Sequence, residues 1–343
     1  MEERIYFARH YQLPNFGPEK QAMLRKANVL VIGAGGLACP LLQYLCAAGV
    51  GKITVIDADE ISASNLHRQV LYRVSDIGRK KVDVLKQVLV FPYCELQTID
   101  AWLDLAMARD LFPKFDLIVD TSDNFTTRYV VNDVCEELDK CLVSAGITQY
   151  AGQLSVYNYP LADGTRSGSY RCLFPEVDMA APNCSNDGVL STAVGLLGLL
   201  QANEVIKVIT KTEGVLANRL LLYDVRNNEQ RIIKYRRLAT DKPSIDLSVT
   251  SEENLLGISW EDLGQWKRTG KTFKLIDVRE EWEHEESNSG GDNIPLGELI
   301  NASKHFAAEE VLVFYCKRSE RSRIAIQRLL AKGLRNAMFY VMQ

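Results

Sequence analysis

Histidine is scarce in this chain of 343 residues. Only His10, His67, His284 and His305 occur, and no two stand at a metal-ligand spacing. That argues against a histidine zinc site and against a Ser-His-Asp hydrolase. No C-x-x-C pair exists among the eight cysteines, and no secretion signal accompanies them, so they read as reduced thiols rather than a disulfide framework. Basic runs are also missing: 40 Lys+Arg against 44 Asp+Glu give a net charge of −4, which advertises neither nucleic-acid nor anionic-membrane binding. Met1-Glu2-Glu3-Arg4 leads into polar sequence, not the apolar core of a signal peptide. The most apolar stretch, Val189 to Leu200, is broken by Ser191 and Thr192 and soon meets Gln201, Asn203 and Glu204. It is too short to span a bilayer and reads as a buried helix. A cytoplasmic globular protein of about two domains is expected, with no membrane or nucleic-acid partner.

What the chain does have is a glycine turn. Val29–Ile32 is a β-branched, apolar run that reads as a buried strand, and Leu37–Ala48 has helical spacing. Between them Gly33, Gly35 and Gly36 let the backbone turn tightly beside a phosphate, with Ala38 at the packing position of the dinucleotide fingerprint. The helix that follows would present free N–H groups and its positive dipole end to an anion. A second strand, Lys52–Ile56, ends at Asp57, close to the offset of about 20 residues expected for an acid that holds a ribose hydroxyl. The nucleotide itself is left open at this point.

Alternation continues: a helix near Lys80–Leu89, a strand near Leu96–Ile99, a helix near Leu103–Leu111 and a strand Phe115–Asp120. A helix from Asn124 to about Leu138 and a strand Cys141–Ser144 follow. This is the rhythm of an α/β, Rossmann-like, doubly wound and mostly parallel sheet. Gly152–Tyr159 and Leu220–Asp224 read as strands bracketing an irregular stretch and an apolar helix. Polar, weakly periodic sequence over Arg236–Ser251 reads as a linker. The expected division is residues 1–240, a linker over 241–251, and a small second α/β domain over 252–343. That second domain should hold a helix near Trp260–Arg268, strands at Lys274–Asp277 and Val311–Tyr315, and a helix at Arg321–Lys332.

Downstream of Asp57 stand Asp59, Ser64-Asn65-Leu66-His67-Arg68-Gln69 and Gly78-Arg79-Lys80-Lys81. This places fixed cations, Arg68 and Lys81, near a phosphate-binding turn. A neutral nicotinamide has little use for them, whereas an enzyme expelling pyrophosphate needs them. The fourth strand ends in Asp120-Thr121-Ser122-Asp123-Asn124, at the edge where doubly wound sheets bind ligands. Asp123 suits Mg²⁺, which takes one or two carboxylates plus substrate phosphates. The plainer alternative makes it the N-cap of the following helix, and the two roles are compatible.

With these residues the chain resembles the MoeB/ThiF family, bacterial relatives of ubiquitin-activating enzymes. The marks are RHYQLP (Arg9–Pro14), GAGGLACP, VIDAD, SNLHRQ, GRKK, DTSDN, YRCLFP, NCSNDGVL and QANEVIK, and they cover about residues 3–235. The resemblance implies an ATP site formed by Gly33, Gly35, Gly36, Asp57, Ser64, Asn65, Arg68, Gln69, Lys81, Asp123 and Asn124, with Mg²⁺ on Asp123. It implies a homodimer in which Arg9 reaches the phosphates of the other subunit. The implied reaction is adenylation of the C-terminal Gly-Gly carboxylate of a small ubiquitin-like sulfur carrier. Members carry a cysteine at the position of Cys184, catalytic in some and dispensable in others. Many also hold zinc with two C-x-x-C pairs. Here Ser169 replaces one cysteine, Cys172 alone remains, and no second pair exists, so no zinc is expected.

Cys316 ends a strand and opens the loop Cys316-Lys317-Arg318-Ser319-Glu320-Arg321-Ser322. Successive N–H groups and nearby cations would stabilise a thiolate or persulfide there. Together with Asp277-Val278-Arg279 and Asn293–Leu296, residues 252–343 resemble a rhodanese (sulfurtransferase) domain with Cys316 as its persulfide cysteine. Ser319 and Glu320 stand where glycines are common. The resemblance also implies a Gly-Gly turn and a final helix beyond Gln343, so the domain reads as minimal or incomplete. Glu280, Glu281, Glu283, Glu285 and Glu286 read as a solvated face. The leading expectation is a fused enzyme: adenylation of the carrier, then sulfur from a Cys316 persulfide, supplied by a cysteine desulfurase or thiosulfate, to form a thiocarboxylate. The competing readings are an NAD-dependent oxidoreductase, an activator of a ubiquitin-like modifier with an inactive rhodanese-like domain, and a non-enzymatic scaffold. Thiamine, molybdopterin and tRNA-thiolation pathways all stay open.

Overall fold

The computed structural model describes residues 2–175, 188–238, 256–303, 306, 310–316, 320–331 and 338–342. They fall into two compact units, the first reaching to 238 and the second starting at 256. The first holds eight strands: β1 (Asn28–Ile32), β2 (Lys52–Ile56), β3 (Glu95–Ile99), β4 (Leu117–Asp120), β5 (Leu142–Thr148), β6 (Ala151–Tyr157), β7 (Arg219–Asp224) and β8 (Glu229–Lys234). They form one sheet in the order β3-β2-β1-β4-β5-β6-β7-β8. The pairs from β3 to β5 are parallel, and β6, β7 and β8 add antiparallel pairs at the far edge.

A parallel strand with helices on both faces must be apolar on both, and β1 is. Val29 and Val31 join one core with Leu41, Leu45, Leu85 and Val205, while Leu30 and Ile32 join the opposite core with Phe112, Ile118 and Val131. The helices Ala38–Ala47, Lys81–Val88 and Ser191–Ile209 cover the first face; Leu105–Leu111 and Phe125–Glu137 cover the second. The order reverses at β1, with β2 on one side and β4 on the other. That leaves a crevice beyond their carboxyl ends, the place where such sheets bind ligands.

Three readings of the sequence need correction. The apolar stretch near Val189 belongs to a 19-residue helix, Ser191–Ile209, which is long and apolar enough to cross a membrane by length and composition. It is nonetheless the buried helix expected, and it buries polar groups that hydrogen-bond inside the unit. Gln201 donates to the carbonyls of Asp120 (2.7 Å) and Val143 (3.2 Å), and Glu204 accepts from the Leu216 amide (2.9 Å). The strand before the Asp123 loop begins at Leu117 rather than Phe115, and β5 runs four residues past Ser144. β8 is missing from the sequence reading. Its residues are exposed throughout, so no alternation of burial betrays it; the hairpin with β7 makes it a strand.

Asp120, at the end of β4, is fully buried. It accepts from Ser122 and Ser144 and pairs with Arg128 at 3.2 Å. Arg128 also donates to the carbonyls of Ser122 and Ala145. Removing one partner of a buried ion pair leaves the other charge uncompensated, which costs about 3–5 kcal/mol. Asp120→Ala is therefore expected to shift the urea midpoint by that free energy, whereas Asp123→Ala leaves it unchanged. Equal midpoints for Asp120→Ala and the parent chain would refute this.

The second unit is a five-stranded, fully parallel sheet. Its strands are β9 (Leu256–Ile258), β10 (Lys274–Asp277), β11 (Asp292–Asn293), β12 (Val311–Tyr315) and β13 (Met338–Met342), in the order β11-β10-β12-β13-β9. Ser259 caps the helix Trp260–Thr269 reciprocally with Asp262, and Gly270 ends it in the left-handed conformation. β9, β11 and β13 are absent from the sequence reading: two are three residues or shorter, and β13 follows a stretch without periodicity. The helix after Cys316 runs Glu320–Ala331, one residue earlier than expected at each end.

Candidate nucleotide site and sulfur site

The turn after β1 is held from three directions. Gly33 adopts φ +97°, and a Cβ there would lie 2.9 Å from Thr121 Oγ1 and 3.3 Å from its carbonyl. Only glycine meets both constraints. Thr121 Oγ1 donates to the Ile32 carbonyl at 2.7 Å, and buried Tyr72 donates to the Ala34 carbonyl at 2.8 Å. Asp57 takes the Ala34 amide on Oδ2 (2.8 Å) and the Asp59 amide on Oδ1 (2.6 Å). The carboxylate read from the sequence as a ribose ligand therefore also braces the turn. Sequence reasoning assigned no role to Thr121, although it lies within the DTSDN stretch, and missed Tyr72, which lies in no quoted motif. Their roles come from β4 lying beside β1 and from the chain folding back over the turn.

Gly36 is placed for close packing. A Cβ would meet Val194 of the helix Ser191–Ile209 at 2.6 Å and the Arg68 side chain at 3.5 Å. Gly35 is more open, with Gln69 Nε2 at 3.8 Å as the nearest atom. Gln69 is buried, and its Oε1 accepts no hydrogen bond among the described residues.

Ser64 and Asn65 lie on the short 3-10 turn Ala63–Asn65, and the Asn65 carbonyl accepts the amides of Arg68 and Gln69. Arg68, half-buried, donates Nη1 to the Ser64 carbonyl at 2.9 Å and lies 2.7 Å from the His67 ring. Burial lowers the His67 pKa, and the Arg68 charge lowers it further. Lys81 is buried, and its Nζ lies 2.9 Å from Asp59 Oδ2. The cation expected for phosphate is thus desolvated and held in place by a carboxylate before any ligand arrives.

Past β4 the reading of Asp123 as a helix N-cap is corrected. Asn124 is the cap: its Oδ1 takes the Thr127 amide at 2.8 Å. Asp123 is exposed and has no partner among the described residues. It sits at a cavity of about 470 Å³ shared with Asn124, Arg128, Gly146, Gly152 and Tyr223. Arg9 is exposed on the short helix Ala8–Tyr11 and donates to Gln12 at 3.2 Å. Cys184 lies outside the described residues. Ser169 and Cys172 close a 3-10 turn of their own: Cys172 Sγ accepts from the Ser169 amide (3.3 Å) and the Leu238 amide (3.5 Å).

In the second unit Cys316 is half-buried at the end of β12, packed against that unit's core. Lys317, Arg318 and Ser319 of its loop lie outside the described residues. Ser322 is fully buried, and its Oγ has no partner among the described residues. Arg321 is not a free anion-binding cation. Glu283 grips it with both oxygens, Nη2 to Oε1 being 2.8 Å. This corrects the solvated acidic face: burial would raise the Glu283 pKa, yet the Arg321 hydrogen bonds outweigh it and leave the carboxyl depressed. Glu280 differs, since burial pushes its pKa up.

Asp277, buried at the end of β10, accepts from Arg279 Nη2 (2.7 Å) and lies 2.9 Å from His284 Nδ1. Burial works to raise its pKa, but the hydrogen bonds from Arg279 and His284 win and lower it. A carboxyl depressed in the folded state contributes stability that is present above its unfolded pKa of about 3.9 and lost as pH falls through the folded value. Asp277 and Glu283 act with the same sign, so the second unit should lose stability steeply below about pH 4. Asp277→Asn is expected to flatten that acid limb in denaturation followed by Trp260, Trp266 and Trp282 fluorescence; an unchanged limb would count against it.

A glycine turn between β1 and a helix, a carboxylate closing β2 and a second after β4 define a nucleotide-binding protein of the doubly wound α/β class. The particular family follows: the chain belongs to the ThiF family, whose profile matches residues 7–246. It is 35% identical to "Adenylyltransferase and sulfurtransferase MOCS3" of Anopheles gambiae over 96% of this chain and 82% of that protein. It is 34% identical to "Probable adenylyltransferase/sulfurtransferase MoeZ" of Mycobacterium tuberculosis over 98% of this chain and 91% of that one. A "Sulfur carrier protein adenylyltransferase" of Thermus thermophilus is 41% identical over 69% of this chain and 89% of its own length. Among solved structures, E. coli MccB with ATP shares the fold, with a TM-score of 0.59 and 23% identity, covering 70% of this chain and 73% of that one.

Proposed function

We infer that this chain adenylates a sulfur-carrier protein and delivers sulfur to it. The supporting observation is that relatives named for both activities align with 96–98% of the chain, across both units and not the nucleotide unit alone. The carrier is proposed to be a small ubiquitin-like protein ending in Gly-Gly. Its carboxylate is already ionised at neutral pH and needs no general base, which suits a site with so little histidine. The carboxylate oxygen attacks the α-phosphorus of ATP, the bond to the bridging oxygen breaks, and pyrophosphate leaves.

This chain's residues would supply position and charge. The amides of the Gly33–Gly36 turn face the phosphates. Asp57 takes the ribose while bracing the turn, and Arg68 and Lys81 take up charge on the leaving pyrophosphate. Ser64, Asn65, Gln69 and Asn124 complete the nucleotide contacts, and Arg9 would come from the second subunit of a homodimer. An exposed carboxylate at the mouth of a cavity suits Mg²⁺, so Asp123 is the residue that would hold it. Bound there, the ion would supply charge neutralisation to the polyphosphate.

In the second unit Cys316 would carry the persulfide, with the Lys317–Ser322 loop around it. The sulfur would come from a cysteine desulfurase or thiosulfate. The terminal persulfide sulfur attacks the acyl carbon of the carrier adenylate, the acyl–phosphate bond breaks, and AMP leaves, giving an acyl disulfide on Cys316. A second thiol then attacks the Cys316 sulfur, the S–S bond breaks, and the carrier thiocarboxylate leaves; an external thiol reduces the disulfide that remains. Cys184 is proposed as a further nucleophile near the adenylate. No zinc is proposed, because the donors at the Ser169–Cys172 turn are a hydroxyl and one thiol already accepting two amides. A cytoplasmic location fits reduced thiols.

The test is mass spectrometry of Gly-Gly-ended carriers incubated with the chain, Mg·ATP and a sulfur donor. An acyl-adenylate, then a thiocarboxylate, is expected on one of them. Absence of carrier-dependent pyrophosphate release with every such protein would overturn the reading.

A further inference from the structure

The last turn of the helix Ala38–Ala47 and the turn before β3 bring two cysteines of the first unit together, at the opposite end of that helix from the glycine turn. Cys46 Sγ and Cys94 Sγ lie 3.4 Å apart. Cys46 is 1% exposed, while Cys94 is half-buried on the turn Phe91–Cys94 that leads into the edge strand β3.

The surroundings make the two sulfurs unequal. The hydrogen bond between the two thiols holds the Cys94 thiol below its usual range; burial opposes this, and the Arg25 charge assists it. Cys46 is pushed upward by the same hydrogen bond and by burial. Arg25 is fixed there: its guanidinium donates to the Tyr93 carbonyl and stands 5.2 Å from the Tyr93 ring centroid. Other buried thiols are quenched instead, with Cys39 pushed up to about 11 and Cys141 to about 12 by desolvation.

We propose that Cys94 and Cys46 form an oxidisable dithiol, a modification site for hydroperoxides that closes to an intramolecular disulfide. Cys94, as thiolate, attacks one peroxide oxygen. The O–O bond breaks, the leaving oxygen departs as hydroxide or alkoxide and takes up a proton, and Cys94 becomes a sulfenic acid. Cys46 then attacks the Cys94 sulfur, the S–O bond breaks, and water leaves with the Cys46 proton. Two thiols lose two electrons and two protons, and one hydroperoxide is reduced to an alcohol (or water) and water. The sulfurs need only close from 3.4 Å to about 2.05 Å. Because Cys94 sits on a turn at the sheet edge, the backbone can follow without disturbing the central strands. The inference does not depend on the proposed adenylation.

The test treats the reduced full chain with hydrogen peroxide, blocks remaining thiols by alkylation, and maps peptides without reductant. The expected product is a peptide pair joining Cys46 to Cys94, lighter by two hydrogens and separated again by dithiothreitol. It should form on the order of tenfold faster than any modification of buried Cys135. In Cys46→Ser the expected product is a Cys94 sulfenic acid trapped by dimedone, and in Cys94→Ser no link forms. Wild-type Cys94 still fully alkylable after Cys316 has been oxidised would overturn the proposal. So would Cys94 sulfenic acid accumulating in the wild-type chain without a link to Cys46.

Discussion

Lys81→Ala is expected to lower carrier-dependent pyrophosphate release by about 10²–10³-fold, with the loss mainly in kcat. The size follows from where the lysine sits. Its Nζ is buried and already 2.9 Å from Asp59 Oδ2, so its charge acts in a medium where Coulomb terms are only weakly screened. The substitution removes a cation from the departing pyrophosphate. It also leaves the Asp59 carboxylate facing the same region without its lysine, which opposes a polyanion. Asp59→Asn separates the two effects, because it keeps the cation and removes the opposing charge; its activity should stay within about tenfold of the parent chain. Steady-state kinetics alongside a thermal melt would decide. A well-folded Lys81→Ala with unchanged kcat and KM for ATP would remove Lys81 from the chemistry.

Cys316→Ala should abolish thiocarboxylate formation, by about a thousandfold or more, and leave adenylation intact. Among the described residues of the second unit, Cys316 is the free thiol at the end of a central strand. Cys316 follows β12, which β10 and β13 flank, so its position is as rigid as the sheet. Glu283→Gln is a graded companion. It releases Arg321 from a two-point grip, and the freed guanidinium should favour an anionic donor such as thiosulfate over a protein persulfide. Thiocarboxylate yield, read by mass, measures both variants. Normal sulfur transfer to the carrier by Cys316→Ala would show that the second unit's cysteine is not on the route.

Much of the first unit was legible because its signals are local. Val29–Ile32 is apolar on both faces, the glycines follow at once, and Asp57 closes the next strand; none of these needs a distant residue to be recognised. Legibility failed where burial pattern was absent or borrowed. β8 is exposed along its whole length and exists through its hairpin with β7. Glu283 looked like one acid among five until Glu280 opened a helix that turned it toward Arg321. Asp123 and Asn124 are adjacent and both suited to capping. Only the observed turn gives the cap to Asn124 and leaves Asp123 open at the cavity.

The amino-acid sequence by itself determined the doubly wound class, the glycine turn with its acid and the cysteine-headed loop after a strand. Each is a matter of residue type at short spacing. The tertiary structure alone decided how those groups are held. Thr121 and Tyr72 brace the turn, Lys81 is desolvated against Asp59, Arg321 is clamped by Glu283, and Cys46 faces Cys94. These partners stand 22 to 89 residues apart in the chain. Periodicity reports which face a side chain takes. It carries no information about which distant side chain will meet it there, because that meeting is set by strand order and by the crossovers between strands.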